Sequence, residues 1–130
     1  MQETEVLVIG CGIAGLTAAL CLADAGREVT VLTKTTDPQE SNTRYAQGGI
    51  IYTSPEDTTE KLIQDTLTAG AGLCWEPAVR QMATAGPRVV KDLLIDRASV
   101  PFTRDQQESL HLTAEGGHTI RRIIHSDDQT

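Results

Sequence analysis

The chain has 130 residues, enough for one domain with a real core, and its 39% apolar and 22% charged content is that of a soluble globular protein, not a disordered one. A net charge of −7 argues against non-specific binding to nucleic acid, which needs a basic face. No apolar run approaches the ~20 residues of a membrane-spanning helix, and the acidic start Met1-Gln2-Glu3-Thr4-Glu5 does not read as a signal peptide.

Val6-Leu7-Val8-Ile9 is a short apolar run that leads into Gly10-Cys11-Gly12-Ile13-Ala14-Gly15, with the spacing G-x-G-x-x-G. A helical segment is predicted next, with Leu16, Ala19, Leu20 and Ala23 on its inner face. Gly26 stops it, and Val29-Thr30-Val31-Leu32 reads as a second strand. Strand, glycine turn, helix and strand make a βαβ unit, and the apolar runs suit strands buried on both faces of a parallel sheet. Gly10 permits the tight turn, Gly12 lets a pyrophosphate approach the backbone, and Gly15 lets the helix pack on the strand. The helix N-terminus then offers N–H groups and a positive dipole end to the phosphates. The competing reading is an ordinary glycine turn in a parallel α/β protein. The second strand ends in Thr33-Lys34 and lacks the acidic residue that often binds the ribose, so spacing alone does not separate FAD from NAD.

Residues 35–44 are polar, contain Pro38 and read as a loop running into Tyr45-Ala46-Gln47-Gly48-Gly49-Ile50-Ile51. A loop of this length is usually functional. Gly48-Gly49 allows positive φ or a close approach to a ligand, or simply a bulge before a short strand. Ser54-Pro55-Glu56-Asp57 reads as a helix start with a capping box, and Leu62, Ile63, Thr66 and Leu67 share a face up to Gly70. A further helix runs from Glu76-Pro77 through Val79, Met82 and Ala83 to a break at Gly86-Pro87. Pro87 then begins another, with Val89, Val90, Leu93 and Leu94, that ends near Ala98-Ser99. These helices read as scaffold.

Cys11, Cys21 and Cys74 form no CxxC pair, so neither a disulfide framework nor a metal site is expected, and a reducing compartment fits. Cys21 reads as a small core residue. Residues 103–109 read as a loop. Residues 110–125 then gather all three histidines, Glu115, Gly116-Gly117 and Arg121-Arg122. Such a cluster suits an anionic substrate, and it equally suits a glycine turn between two strands with solvated charges. The last residues, 126–130, look like a helix start, and a dinucleotide fold normally has more parallel strands, so the chain reads as the N-terminal part of a longer protein.

Three segments together make the chain resemble the L-aspartate oxidases, a family of the fumarate reductase and succinate dehydrogenase flavoprotein superfamily. They are residues 6–32 with their glycines, Ser41-Asn42-Thr43-Arg44-Tyr45-Ala46-Gln47-Gly48-Gly49-Ile50, and His111-Leu112-Thr113-Ala114-Glu115-Gly116-Gly117-His118 with Arg121-Arg122-Ile123-Ile124-His125. Asp65 to Cys74 adds to the match. The resemblance implies a Rossmann-like α/β FAD-binding domain with a glutathione reductase-like βαβ start. Residues 1–130 would be its incomplete N-terminal portion, without the capping and C-terminal helical domains.

The cofactor implied is FAD. Its pyrophosphate would lie against Cys11, Gly12, Ile13 and Ala14, within a cofactor-binding turn that also includes Gly10 and Gly15, with Lys34 in place of the acidic residue. Asn42, Thr43, Arg44, Tyr45, Ala46, Gln47, Gly48 and Gly49 would wrap the flavin. Asn42 stands where covalently flavinylated relatives carry histidine, which implies non-covalent FAD. Glu115 matches the carboxylate that orients the substrate through its ammonium group, while the catalytic arginine is expected beyond this chain.

The reaction implied is oxidation of L-aspartate to iminoaspartate, with oxygen or fumarate as acceptor, in the cytoplasm. It feeds quinolinate and NAD biosynthesis, with quinolinate synthase a candidate partner and neither nucleic acid nor membrane involved. The 130-residue chain alone is expected to be inactive. Two other readings stand beside this one: a soluble fumarate reductase or succinate dehydrogenase-like flavoprotein, and a non-catalytic nucleotide-binding module.

Overall fold

Strand β1 (Val6–Ile9) pairs in parallel with β2 (Val29–Leu32), Val6 facing Val29 and Ile9 facing Leu32, in a computed structural model that describes residues 3–46 and 48–126. Helix α1 (Ile13–Asp24) makes the crossover between them. The two strands and their helix belong to a first compact unit that ends at residue 47, and a second unit starts at Gly48.

Inside the first unit the predicted elements form, but burial differs from expectation in two ways. The half-buried residues of α1 are Gly15, Thr17, Ala19 and Leu22, whereas Leu16 and Leu20 are each 45% exposed. The cause is the closeness of helix and turn. A Cβ on Gly15 would stand 2.1 Å from the Gly10 carbonyl oxygen, so only small residues fit the inner face there. Cys21 is on the outside, not in the core. The sheet, in turn, is covered on one face. Val6 and Val8 are half-buried, while Leu7 and Ile9 on the opposite face are 51% and 79% exposed. The apolar runs thus carry one packed face and one open face among the described residues.

The second unit is built on an antiparallel pair, β3 (Gly49–Ile51) with β4 (Ile123–His125). Helix α2 (Thr59–Ala69) starts later than Ser54-Pro55 predicts. Thr58, not Ser54, caps it, its hydroxyl accepting from the Lys61 N–H at 3.2 Å. Asp57 is thereby free for another role. Helix α3 (Glu76–Val89) runs through Gly86-Pro87 where a break is predicted. Proline removes one donor and crowds the carbonyl four residues back. The helix nonetheless continues, changing to wider π winding over Val90–Arg97.

Leu62, Ile63, Val79 and Ala83 form one apolar cluster between α2 and α3; Val90, Phe102 and Ile124 form another against β4. The predicted loop at 103–109 is a tight turn held by Asp105, whose carboxylate accepts from the N–H groups of Gln107 and Ser109, both at 2.9 Å. Of residues 126–130, read from sequence as a helix start, 127–130 lie outside the described residues.

Candidate functional site

The glycine turn of the first unit has the local geometry its spacing predicts. Gly10 has φ +107°, a conformation that side-chain-bearing residues rarely adopt, and its N–H continues the parallel ladder to the Leu32 carbonyl at 2.8 Å. Gly12 is the N-cap of α1 and offers no side chain to the helix end. Inside the helix, the N–H of Leu16 bonds back to the Gly12 carbonyl at 3.0 Å. The helical geometry gives the N–H groups of Ala14 and Gly15 no intrahelical partner. Beside the turn opens a cavity of about 570 Å³, lined by Gly10, Cys11, Gly12, Lys34, Asn42 and Thr43, among others.

Residues 41–46 do not simply wander across this cavity. Arg44, Tyr45 and Ala46 each donate an N–H to the carbonyl three residues earlier, so the segment coils in successive tight turns. That coil brings Thr43 back onto α1, where its Oγ1 accepts from the Ile13 N–H at 3.0 Å. A Cβ on Gly12 would meet the same hydroxyl at 3.3 Å. The space left by Gly12 is therefore partly filled by the chain's own Thr43. Tyr45 donates its phenol proton to the Glu40 carboxylate, and this bond, with some desolvation, raises its pKa above the ordinary value. Arg44 pairs with Asp37 at 3.3 Å on the exposed side. Cys11 is buried and donates its thiol to Thr33 Oγ1 at 3.3 Å, a contact the sequence does not reveal. Gln47 lies outside the described residues.

A tight turn, a glycine without Cβ at the helix cap and free helical N–H groups beside a cavity fit the pyrophosphate of a dinucleotide. The strongest observation is the collision a Cβ would make at Gly15, because it shows that the helix start is pulled onto the turn as that cradle requires.

In the second unit, Gly48 and Gly49 do approach something closely, but it is the chain itself. A Cβ on Gly48 would stand 2.7 Å from the Ser126 carbonyl oxygen, and one on Gly49 would stand 3.1 Å from Glu115 Oε1. The structure so brings Gly49 and Glu115 together. Glu115 is exposed and opens a turn closed by the His118 N–H on its carbonyl at 3.2 Å, with Gly117 at φ +88°. His111 is exposed and joins His125, Nδ1 to Nε2, at 3.0 Å.

The largest departure from the sequence reading is Arg122. Its side chain is fully buried and held by two carboxylates. Nε and Nη2 donate to Asp57 at 2.7 and 2.9 Å, and Nη1 donates to Asp65 at 2.6 Å. Nη1 also reaches His118 Nδ1 at 3.1 Å; a guanidinium only donates, so His118 accepts there and carries its ring proton on Nε2. Asp65 accepts further from the N–H and hydroxyl of Thr119. Burial pulls the Asp65 carboxyl upward, but the Thr119 and Arg122 bonds outweigh it and leave it below the usual carboxylate range. Arg122 is raised, first by its bond to Asp57. One signal could have found this cluster. Asp65 lies three residues after Leu62 on the inner stripe of α2, and a carboxylate there demands a partner.

A family model described as FAD binding domain matches residues 5–130. L-aspartate oxidase, chloroplastic, from Oryza sativa subsp. japonica is 46% identical over 127 residues, which are 97% of this chain and 19% of that protein. L-aspartate oxidase 1 from Ralstonia nicotianae is 47% identical over 129 residues, 97% of this chain and 24% of the relative. The chain thus spans about a fifth to a quarter of the length of these relatives. Among solved structures, the Mycobacterium smegmatis Sdh1 complex in the apo form superposes with a TM-score of 0.85 at 27% identity, over 96% of this chain and 21% of that one.

Proposed function

We propose that this chain, which belongs to the FAD-binding domain family, is part of an L-aspartate oxidase, holding the pyrophosphate side of the FAD and supplying one substrate-orienting carboxylate. FAD is the dinucleotide of this family, and the fold is the α/β FAD-binding kind. The observation that carries the finer reading is the 46–47% identity to L-aspartate oxidases, which extends over 97% of the chain.

In this proposal the N–H groups at the start of α1, with Gly10, Cys11, Gly12 and Gly15, hold the pyrophosphate. Lys34, Asn42, Thr43 and Tyr45 line the same cavity, and Arg44, Ala46, Gln47, Gly48 and Gly49 would complete the flavin-wrapping segment. FAD supplies the hydride acceptor when bound. Glu115, acceptor-only when ionised, receives the ammonium of L-aspartate and turns its Cα–H toward the redox centre. Oxidation of the Cα–N bond then yields iminoaspartate, and oxygen or fumarate takes up the electrons. That product suits a route to quinolinate and NAD, with quinolinate synthase as the enzyme that would receive it. Asn42 has no nucleophilic ring nitrogen, which supports non-covalent FAD. A reducing cytoplasm is proposed as the compartment, supported by three free cysteines. Among the described residues no helix is long and apolar enough to cross a membrane. The catalytic arginine is assigned to neither Arg121 nor Arg122, since Arg122 is fully committed to Asp57 and Asp65.

The test is turnover and flavin release in the protein that the full reading frame encodes. Peroxide formation with L-aspartate, and release of all the yellow colour into the supernatant on acid precipitation, are expected. Turnover of succinate in place of L-aspartate would move the assignment to the fumarate reductase-like alternative, and colour retained in the pellet would contradict the non-covalent reading. The 130-residue chain alone is expected to form no peroxide.

A further inference from the structure

Glu115 sits on an exposed turn followed by Gly116-Gly117, the residues least able to hold a side chain in one place. Yet the far end of that turn is tied to α2 with unusual thoroughness. The Thr119 N–H donates to Asp65 Oδ2 at 2.9 Å, and its hydroxyl donates to both oxygens at 3.0 and 2.9 Å. Arg122 clamps the same Asp65 at 2.6 Å and reaches His118, the last residue of the turn, at 3.1 Å. Asp57 locks the other side of the guanidinium. Gly117 lies against the end of α2, where a Cβ would come within 3.5 Å of Ala69 Cβ.

The three charged side chains of this cluster are at most 8% exposed. Replacing such a buried charge cluster with apolar residues is often neutral for stability, so added stability alone does not account for its presence.

We propose that Thr119, Asp65 and Arg122 are positioning residues for Glu115: they anchor its turn to α2 so that the carboxylate stands beside Gly49 in one orientation. The inference rests on the reading of Glu115 as the group that receives the substrate ammonium. Thr119→Val is the sharpest probe, because it removes the hydroxyl bonds to Asp65 and changes no charge. Asp65→Asn is the harsher companion.

The experiment compares wild type, Glu115→Gln, Thr119→Val, Thr119→Ser and Asp65→Asn in the full-length enzyme, measuring KM and kcat for L-aspartate, bound FAD and Tm. Glu115→Gln is expected to raise KM by roughly tenfold, and Thr119→Val by about threefold to tenfold, as misplacement of a binding group does. In Thr119→Val the rise in KM should far exceed any fall in kcat, FAD content should be retained, and Thr119→Ser should restore the wild-type KM. Asp65→Asn, where it folds, should follow Thr119→Val. An effective Glu115→Gln with a silent Thr119→Val would overturn the positioning role alone. A parallel fall of kcat, FAD content and Tm in Thr119→Val would reduce the cluster to scaffold and overturn it as well. A silent Glu115→Gln would remove the reading of Glu115 and the inference with it.

Discussion

The two units fix their local geometry by opposite means. The turn at residues 10–15 works by leaving side chains out. Gly10 takes φ +107°, and Gly15 lets the helix touch the Gly10 carbonyl. The cluster around Arg122 works by putting charges in. One guanidinium and two carboxylates, separated by 65 and 57 residues along the chain, are buried together and satisfied by one another. Backbone geometry needs only neighbouring residues and tolerates no added carbon. Charge pairing joins distant segments and tolerates no missing partner. The two regions should therefore fail differently.

The largest effect is expected at Arg122→Met. It leaves Asp57 and Asp65 buried without their cation, which should cost about 3–5 kcal/mol, read as a drop in the denaturation midpoint of the full-length protein. A loss below ~1 kcal/mol would mean that water or another cation replaces the guanidinium and that the cluster is less closed than its geometry indicates.

Gly15→Ala comes next and should act on the other property. A Cβ 2.1 Å from the Gly10 carbonyl forces helix and turn apart. Overpacking of this kind costs roughly 1–3 kcal/mol, and FAD affinity should fall by about tenfold or more in a flavin-fluorescence titration. An unchanged affinity would break the link between the tight turn and the cofactor. The contrast sharpens if Arg122→Met retains FAD whenever it folds.

A smaller effect is expected from pH. Asp65 has its folded pKa below the unfolded value of about 3.9, so its contribution to stability is fully present above that value and lost as pH falls through the folded pKa. Between pH 5 and 3, wild type should lose more stability than Asp65→Asn, which has no such proton to take up. Parallel Tm curves would contradict the assignment. The smallest effect belongs to Cys21→Ser. Cys21 is exposed, and the change should stay within ~0.5 kcal/mol with FAD content unaffected.

The same contrast explains what the sequence disclosed. The βαβ unit was legible because every determinant is local: an apolar run, three glycines at fixed spacing and a second apolar run. The inner face of α1 was misjudged because size, not hydrophobicity, decides it. Gly15 stands against the Gly10 carbonyl and Val8, Ala19 is half-buried, and Leu16 and Leu20 are exposed. Helix α2 starts after Ser54-Pro55 because Asp57, the capping-box partner that the local pattern gives Ser54, pairs with Arg122 across the fold, and Thr58 caps instead. Pro87 did not end its helix, because the chain changed winding instead of direction. The proximity of Glu115 to Gly49 and the tether from Thr119 to Asp65 are long-range contacts, and no local pattern announces them. Only the misplaced carboxylate on the stripe of α2 gave a warning.

The most direct test of the central claim is an anaerobic visible spectrum of the protein encoded by the full reading frame, recorded before and after addition of L-aspartate. A flavin band that bleaches with L-aspartate, and bleaches only at much higher concentration in Glu115→Gln, is the predicted result. A bound flavin whose spectrum ignores L-aspartate, or responds equally in wild type and Glu115→Gln, would contradict it.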